Sequence, residues 1–150
     1  MVPRINVFAK GQYALTPLFQ VASYLKNSPV EVQLLELVFF RVSQINNCAY
    51  CLDMHSKDAR VHGETEQRLY GISTWRETPY FSARERAALA WAEAVTKCDV
   101  PDSVYEQVSP LFTECEMIDL TLAITTINAW NRINLAFPTL AGTYQVGQFG

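Results

Sequence analysis

Glycine placement constrains the fold of this chain more than any other sequence feature. The chain has six glycines in 150 residues, and none stands between Gly71 and Gly142. Proteins rich in β-hairpins need glycine at tight turns, where the backbone adopts positive φ angles that other residues resist. A stretch of this length without glycine favours helices joined by loops. The sequence therefore predicts an all-α protein.

Helix start signals support this prediction. A hydroxyl residue three positions before a carboxylate, which is the capping-box pattern, occurs at residues 28–31, 82–85 and 113–116. Pro17 and Pro29 each follow a hydroxyl residue and are predicted at first helical positions, where a missing N–H is not needed. Capping and apolar periodicity together predict about six to seven helices, near residues 17–26, 29–45, 48–62, 64–71, 83–97, 102–109 and 114–136.

Two of these helices are apolar nearly all round. Residues 29–45 carry a dense run of valine, leucine and phenylalanine, and residues 114–136 are equally apolar. A helix without a polar face is buried, and a chain of this size forms one core. We therefore expect a second copy of the chain to cover one of the two helices, which makes the protein a homo-oligomer.

Charge and hydropathy exclude two classes of partner. The 12 basic and 15 acidic residues give a net charge of −3, and the closest basic pair, Arg84 and Arg86, forms no stripe for phosphates. The longest purely apolar run, residues 87–92, is far shorter than a membrane span, and residues 1–10 hold no apolar secretory segment. We expect one cytoplasmic domain over residues 1–150, with no nucleic-acid or membrane partner.

Candidate chemistry concentrates in one short motif, CAYCLDMH at residues 48–55. At about 100° per residue, Cys48, Cys51 and His55 share one face of the predicted helix. Asn46 and Asn47 just upstream favour a helix boundary. Cys48 should therefore lie in the first turn, where the positive helix end stabilises a thiolate.

A carboxylate in an apolar stretch supplies the next candidate group. Glu36 stands among leucine, valine and phenylalanine in the second predicted helix, a setting that suits proton transfer better than a surface role. One straight helix would hold Glu36 and Cys48 ~18 Å apart. We therefore expect a bend at residues 46–47 to bring them together. Ser43 shares the helical face of Glu36 and could orient that carboxylate or a water molecule.

The combined spacing Glu36-x11-Cys48-x2-Cys51-x3-His55 resembles the alkylhydroperoxidase D-like branch of the carboxymuconolactone decarboxylase family. The likeness extends roughly from Leu15 to Ala136 and is more specific than a lone CxxC. The most similar segments are residues 41–55, 85–96 and 128–132.

The resemblance implies an all-helical fold that forms trimers or hexamers and reduces hydroperoxides through a cysteine pair. Cys51 would be the attacking thiol, and Cys48 would resolve it to a disulfide that an outside thiol or lipoyl-type reductant reopens. Glu36 and His55 would relay the proton. The family's best-studied pattern has a histidine where this chain has Tyr50. A phenol can donate a hydrogen bond there but does not titrate near neutral pH.

The residues themselves leave the order of attack open. The helix-end argument ranks Cys48 first, whereas the proximity of His55, four positions after Cys51, favours Cys51.

Three other functions are alternatives for a chain with this motif. Two thiolates, an imidazole and a carboxylate could bind zinc, although we predict no metal and no cofactor. The same pair could serve disulfide exchange or redox sensing. The third alternative is the lactone decarboxylation carried out by the family's decarboxylases, but these enzymes need no cysteine pair.

Other polar groups have simpler interpretations. Cys98 and Cys115 are isolated and are interpreted as small core or loop thiols. His62 precedes Gly63 at a predicted helix end, where a cation meets the helix dipole, so we assign it no chemistry. Asn128 and Asn131 on the last helix are interpreted as structural or interfacial.

Overall fold

The computed structural model describes residues 4–149, which form eight α-helices and no strand. The predicted all-α class is confirmed; residues 1–3 and 150 of the predicted domain lie outside the described residues. The helices are α1 (Val7–Lys10), α2 (Gln12–Leu25), α3 (Val32–Ile45), α4 (Ala49–Val61), α5 (Glu66–Gly71), α6 (Ala83–Lys97), α7 (Asp102–Val108) and α8 (Glu114–Ala136).

Helix α3 is the centre of the fold, and it packs against α4, α6 and α8. Its Val38 and Val42 are fully buried. The main core joins them to apolar residues of the surrounding helices, chiefly Ala88, Ala92, Leu120, Ala123 and Ile124. A smaller cluster behind α3 consists of Leu37, Ile72, Trp75, Phe81 and Leu89. The near-complete burial predicted for this helix holds for seven of its 14 residues, while Val32 at its start is exposed and Phe39 and Phe40 are partly buried.

Two of the predicted capping boxes are confirmed. Ser82 accepts from the backbone N–H of Glu85, whose carboxylate accepts in return from the Ser82 N–H, at the start of α6. Thr113 and Glu116 repeat this pattern at the start of α8. Both boxes satisfy N–H groups that no helical carbonyl can reach.

The first predicted box is wrong because tertiary contacts engage both of its side chains. Helix α3 begins at Val32, and no side chain caps it. The Ser28 hydroxyl donates to Asp119 at 2.6 Å. Glu31 pairs with Arg84. Contacts with α8 and α6 therefore override the local capping-box pattern.

Both prolines predicted at helix starts lie elsewhere. Helix α2 begins at Gln12 and continues through Pro17. Pro29 precedes α3 by several residues. A proline inside a helix removes the bond to the carbonyl four residues earlier. Here that residue is Tyr13, which is 96% exposed, so water can bind its carbonyl instead.

Helix α8 is less uniformly apolar than its sequence predicts. Leu120, Ala123 and Ile124 face the core, but Asn131 and Asn134 are buried beside them. No helix within residues 4–149 is long and apolar enough to cross a bilayer. The second copy expected to cover one apolar helix stays a prediction.

Candidate active site

The turn between α3 and α4 places the first cysteine. Asn47 adopts the left-handed conformation, with φ 55°, which asparagine tolerates better than most residues. Its N–H donates to the Gln44 carbonyl at 3.1 Å, and the Cys48 N–H donates to the Ser43 carbonyl at 3.0 Å. These are the paired bonds of a Schellman motif. The predicted bend is confirmed, and Cys48 is the N-cap of α4, one residue before its first turn.

The two cysteines of the motif are joined. Cys48 and Cys51 form a disulfide with Cα atoms 5.3 Å apart, and both residues are buried. Cys98 and Cys115 are unpaired and exposed. Cys98 follows α6 as the predicted loop thiol, but Cys115 lies on the surface of the first turn of α8 and is neither core nor loop. The structure thus distinguishes the disulfide-bonded pair from the two exposed free thiols.

Glu36 and His55 meet across the α3–α4 interface. His55 Nδ1 lies 2.9 Å from Glu36 Oε2, and both residues are buried. When the Glu36 oxygen accepts this hydrogen bond, Nδ1 carries the hydrogen, and in that neutral tautomer Nε2 has the lone pair. Nε2 is buried and has no hydrogen-bond partner among residues 4–149. Buried polar atoms are normally paired, so Nε2 stands out as the ring atom that a reacting group could engage.

Asp58 and Tyr144 adjoin this pair, and sequence reasoning missed both. Ligand atoms of Glu36, His55 and Asp58 lie within 4.8 Å of one another. The Tyr144 hydroxyl donates to the two Asp58 oxygens at 2.9 and 3.0 Å. Burial raises the pKa of Asp58, while the hydrogen bond from Tyr144 acts in the opposite direction. Asp58 stands three residues after His55, and this helical spacing could have indicated that the two side chains lie close together. No sequence pattern links Tyr144 to the motif.

Asn134 of α8 reaches the second cysteine. Its Nδ2 lies 3.8 Å from Cys51 Sγ and donates to the Trp130 carbonyl at 3.0 Å. Its Oδ1 accepts from the Thr139 hydroxyl at 2.9 Å. A carbonyl oxygen only accepts, so the Trp130 contact identifies the nitrogen and leaves its second hydrogen for the sulfur. Asn134 therefore presents an N–H donor to Cys51.

Ser43 belongs to a polar network between α8 and the α3–α4 turn. Its hydroxyl is fully buried and accepts from Asn131 Nδ2 at 3.0 Å. Asn46 Nδ2 donates to the side-chain oxygens of Asn131 and Asn128, both at 2.9 Å. The structural interpretation of these two asparagines is confirmed. The contact of Ser43 is with Asn131 and not with Glu36, so its predicted orienting role is unsupported by a direct bond.

Replacing Asn131 with alanine is expected to lower the free energy of unfolding by about 1–3 kcal/mol, because Ser43 and Asn46 lose a buried partner. Urea denaturation of the oxidised protein measures this change. Asn27→Ala is the matched control, since Asn27 is exposed, and we expect it to change stability by less than about 0.5 kcal/mol. Equal effects of the two substitutions would contradict the structural role.

Tyr50, the candidate relay residue between the cysteines, is buried in the first turn of α4. Burial raises its pKa, and the charges of Asp53 and Asp58 raise it further. The phenol therefore stays protonated near neutral pH. It can donate a hydrogen bond but cannot take the place of a titrating histidine.

The residues that could hold a metal are already bonded to one another. Zinc binding by the motif needs two thiolates, but here Cys48 and Cys51 are disulfide-bonded. Among residues 4–149, the remaining group of three ligand side chains is Glu36, His55 and Asp58. Within it the imidazole is bonded to the Glu36 carboxylate, and Asp58 accepts from Tyr144. Glu36 Oε2, His55 Nδ1 and both Asp58 oxygens are thus already engaged in hydrogen bonds.

An all-helical fold with a buried CxxC disulfide beside a Glu–His pair defines the alkylhydroperoxidase D-like class. The chain belongs to the carboxymuconolactone decarboxylase family, whose model matches residues 12–94. The matched residues include Glu36, both cysteines and His55, but neither Asn134 nor Tyr144.

Individual relatives agree with this assignment. The uncharacterized protein YdfG of Bacillus subtilis is 38% identical over 146 residues, which cover 95% of this chain and 99% of YdfG. A protein of unknown function from Agrobacterium tumefaciens, suggested to be the antioxidant defence protein AhpD, superimposes with a TM-score of 0.88 at 36% identity, covering 95% of this chain and all of the other. An uncharacterized peroxidase-related protein from Silicibacter has the same fold, with a TM-score of 0.82 at 24% identity over 100% of this chain and 82% of the other.

Proposed function

We propose that the protein is a thiol-dependent hydroperoxide reductase that uses the Cys48–Cys51 pair. The observation that carries this proposal is the buried His55 imidazole. Its Nδ1 is held by Glu36, its Nε2 has no hydrogen-bond partner in the described part of the chain, and it stands one helical turn after Cys51. A buried base beside a redox-active thiol can generate the thiolate that attacks peroxide. The antioxidant role suggested for the Agrobacterium relative supports this assignment.

The reaction begins with the reduced pair. His55 Nε2 takes the proton of Cys51, and Glu36 stabilises the resulting imidazolium through Nδ1. The thiolate attacks one peroxide oxygen, the O–O bond breaks, and the alcohol leaves after taking a proton from the imidazolium. Cys51 is now a sulfenic acid. The Cys48 thiol attacks it, the S–S bond forms and water leaves.

The cycle closes when an outside dithiol supplies two electrons and two protons and reopens the disulfide. We propose a thiol or lipoyl-type dithiol for this role. The cytoplasmic location expected from the sequence would keep such reductants available, because thiols are held reduced in that compartment. No bound cofactor enters any step of this scheme.

Contacts around the sulfurs favour Cys51 as the attacking residue. Asn134 directs an N–H at Cys51 Sγ, and such a donor stabilises the negative charge of a thiolate. Cys48 stands at the N-cap of α4, where it also lies near positive helix charge. His55, the proposed base, stands four residues after Cys51 but seven after Cys48, so its position along the chain favours Cys51. We therefore propose that Cys51 attacks and Cys48 resolves, as the family resemblance implies.

Peroxide treatment of the reduced protein tests the proposed function. The chain has four cysteines, so four free thiols are expected before treatment and two after one equivalent of an organic hydroperoxide. Thiol titration and the loss of peroxide should agree mole for mole, because each peroxide oxidises one pair. If all four thiols persist while the peroxide remains, the protein is not a hydroperoxide reductase.

The disulfide itself favours one alternative function, exchange with a protein or lipoyl disulfide. In that case the reduced pair would reduce disulfide substrates rapidly while four thiols survive hydroperoxide. Lactone decarboxylation gains no support from a buried disulfide, since it needs no cysteine pair. The two assays on one reduced sample therefore separate the candidate functions.

A further inference from the structure

We propose that Tyr144 and Asp58 form an additional part of the proton relay, in which Tyr144 positions Asp58 as an anion beside His55 and Glu36. The inference rests on the proposed function and extends it to Asp58 and to Tyr144, of which Tyr144 lies outside the residues 12–94 matched by the family model. Tyr144 acts through Asp58 and is a positioning residue. Asp58 stabilises the positive charge that His55 gains when it accepts a proton.

Hydrogen bonds and burial fix the position of the Tyr144 side chain beside Asp58. Its side chain is buried, with 5% of the residue exposed, and its hydroxyl bonds both Asp58 oxygens. A donor shared by two carboxylate oxygens fixes the plane and position of the carboxylate. The Asp58 carboxylate thereby stays close to the Glu36–His55 bond.

The segment that carries Tyr144 is itself fastened along α4. The Gly142 N–H donates to Asp53 Oδ2 at 3.0 Å. Lys57 Nζ donates to the Tyr144 carbonyl at 2.9 Å and pairs with Asp53. Two residues of α4, one turn apart, therefore hold the backbone on both sides of Thr143. The Tyr144 hydroxyl then reaches Asp58, the residue that follows Lys57.

Charge explains what Asp58 contributes. When His55 accepts the Cys51 proton, positive charge appears between Glu36 and Asp58, and a second carboxylate stabilises it. The groups that act on Asp58 are Glu36 from α3, His55 from α4, His62 just after α4, and Tyr144. Glu36 and burial favour the neutral carboxyl, whereas Tyr144 and the histidines favour the anion. Burial has the largest effect on the Asp58 pKa, and the Tyr144 hydrogen bond opposes it, so this bond lowers the pH at which Asp58 becomes charged.

Tyr144→Phe tests the proposal by removing one oxygen atom. Loss of the hydrogen bond raises the pKa of Asp58, so the anion forms at higher pH. The acid limb of the kcat/KM profile for an organic hydroperoxide should move up by about 0.5–1 pH unit, the size expected for one bond to a carboxylate. On that acid limb the rate should fall about 3–10-fold, with near-normal rates on the plateau at higher pH. Tyr13→Phe, at an exposed position, should change nothing.

Asp58→Asn separates the relay from a merely structural latch. If Tyr144 acts through Asp58, adding Tyr144→Phe to Asp58→Asn causes no further change in the pH profile. A tyrosine that only fastens the C-terminal segment would lower the Tm in both backgrounds and leave the profile unchanged. Either an unchanged profile in Tyr144→Phe or additive effects in the double variant would overturn the proposal.

A second readout keeps this inference distinct from the proposed function. In a Cys48→Ser background with Cys98 and Cys115 also replaced by serine, Cys51 is the only thiol, and its rate of alkylation by iodoacetamide against pH reports the thiolate without peroxide. Tyr144→Phe should move that curve to higher pH as well. A shifted alkylation curve without peroxidase activity would reject the peroxidase and retain the relay. An unshifted curve would reject the relay.

Discussion

Cys51→Ser is expected to lower the hydroperoxide reductase rate by about 10³-fold or more, because a serine hydroxyl neither ionises beside His55 nor forms a sulfenic acid. The variant should also fail to consume a first equivalent of peroxide, which single-turnover kinetics measures. The protein should remain folded, since serine is close to cysteine in size and Asn134 can donate to its oxygen. Loss of turnover with a normal first equivalent would contradict attack by Cys51.

Cys48→Ser and Cys98→Gly complete this experiment. Cys48→Ser should consume one equivalent of peroxide and then stop, with a sulfenic acid at Cys51 that dimedone traps. If Cys48→Ser instead blocks the first equivalent, the helix-end argument is right and the order of attack is reversed. Cys98 is exposed and has φ 56°, so glycine suits its backbone and the rate should be unchanged.

His55→Asn is expected to lower kcat/KM by about 10²–10³-fold, the usual contribution of a general base. Asparagine keeps an N–H donor for the buried Glu36 carboxylate but has no nitrogen that accepts a proton at neutral pH. An apolar replacement would leave that carboxylate buried and unpaired, which risks unfolding. Steady-state kinetics from pH 5 to 9 measures the loss, and higher pH should restore part of the rate because the thiol then ionises by itself.

His62→Asn is the matched control for this prediction. His62 follows α4 on an exposed surface, in the position where the sequence assigned it no chemistry. On the high-pH plateau, where Asp58 is already charged and the effect of His62 on its pKa no longer matters, this replacement should leave kcat/KM within about twofold. Comparable losses in the two variants would show that the effect of His55→Asn is not specific to the relay.

The site was predictable from sequence where its geometry is local. Cys48, Cys51 and His55 converge because helical periodicity brings them to one face, and this needs no knowledge of other helices. The contact of Glu36 with His55 required one further element, the bend, which Asn46 and Asn47 signalled. Capping boxes at α6 and α8 were equally local and were predicted correctly.

Prediction failed where distant segments compete for the same atoms. Ser28 would cap a helix in isolation, but Asp119 takes its hydroxyl in the folded chain. Asn134 and Tyr144 are 83 and 86 residues from the groups that they contact, Cys51 and Asp58. No periodicity links such positions. Their roles depend on how α8 and the C-terminal segment return to α4, and only the three-dimensional structure shows that.

The asparagine at the α3–α4 turn has a thermodynamic consequence for the unfolded chain. Glycine would adopt the left-handed conformation of Asn47 more easily, but it would also be freer before folding. Asparagine loses less conformational entropy when it is fixed, a difference of about 0.4–1 kcal/mol for comparable exchanges. This chain therefore joins the helix of Glu36 to the helix of His55 through a turn whose freedom is already restricted before folding. The scarcity of glycine, first a sign of helices, thus also reduces the entropy that is lost when the Glu36–His55 contact forms.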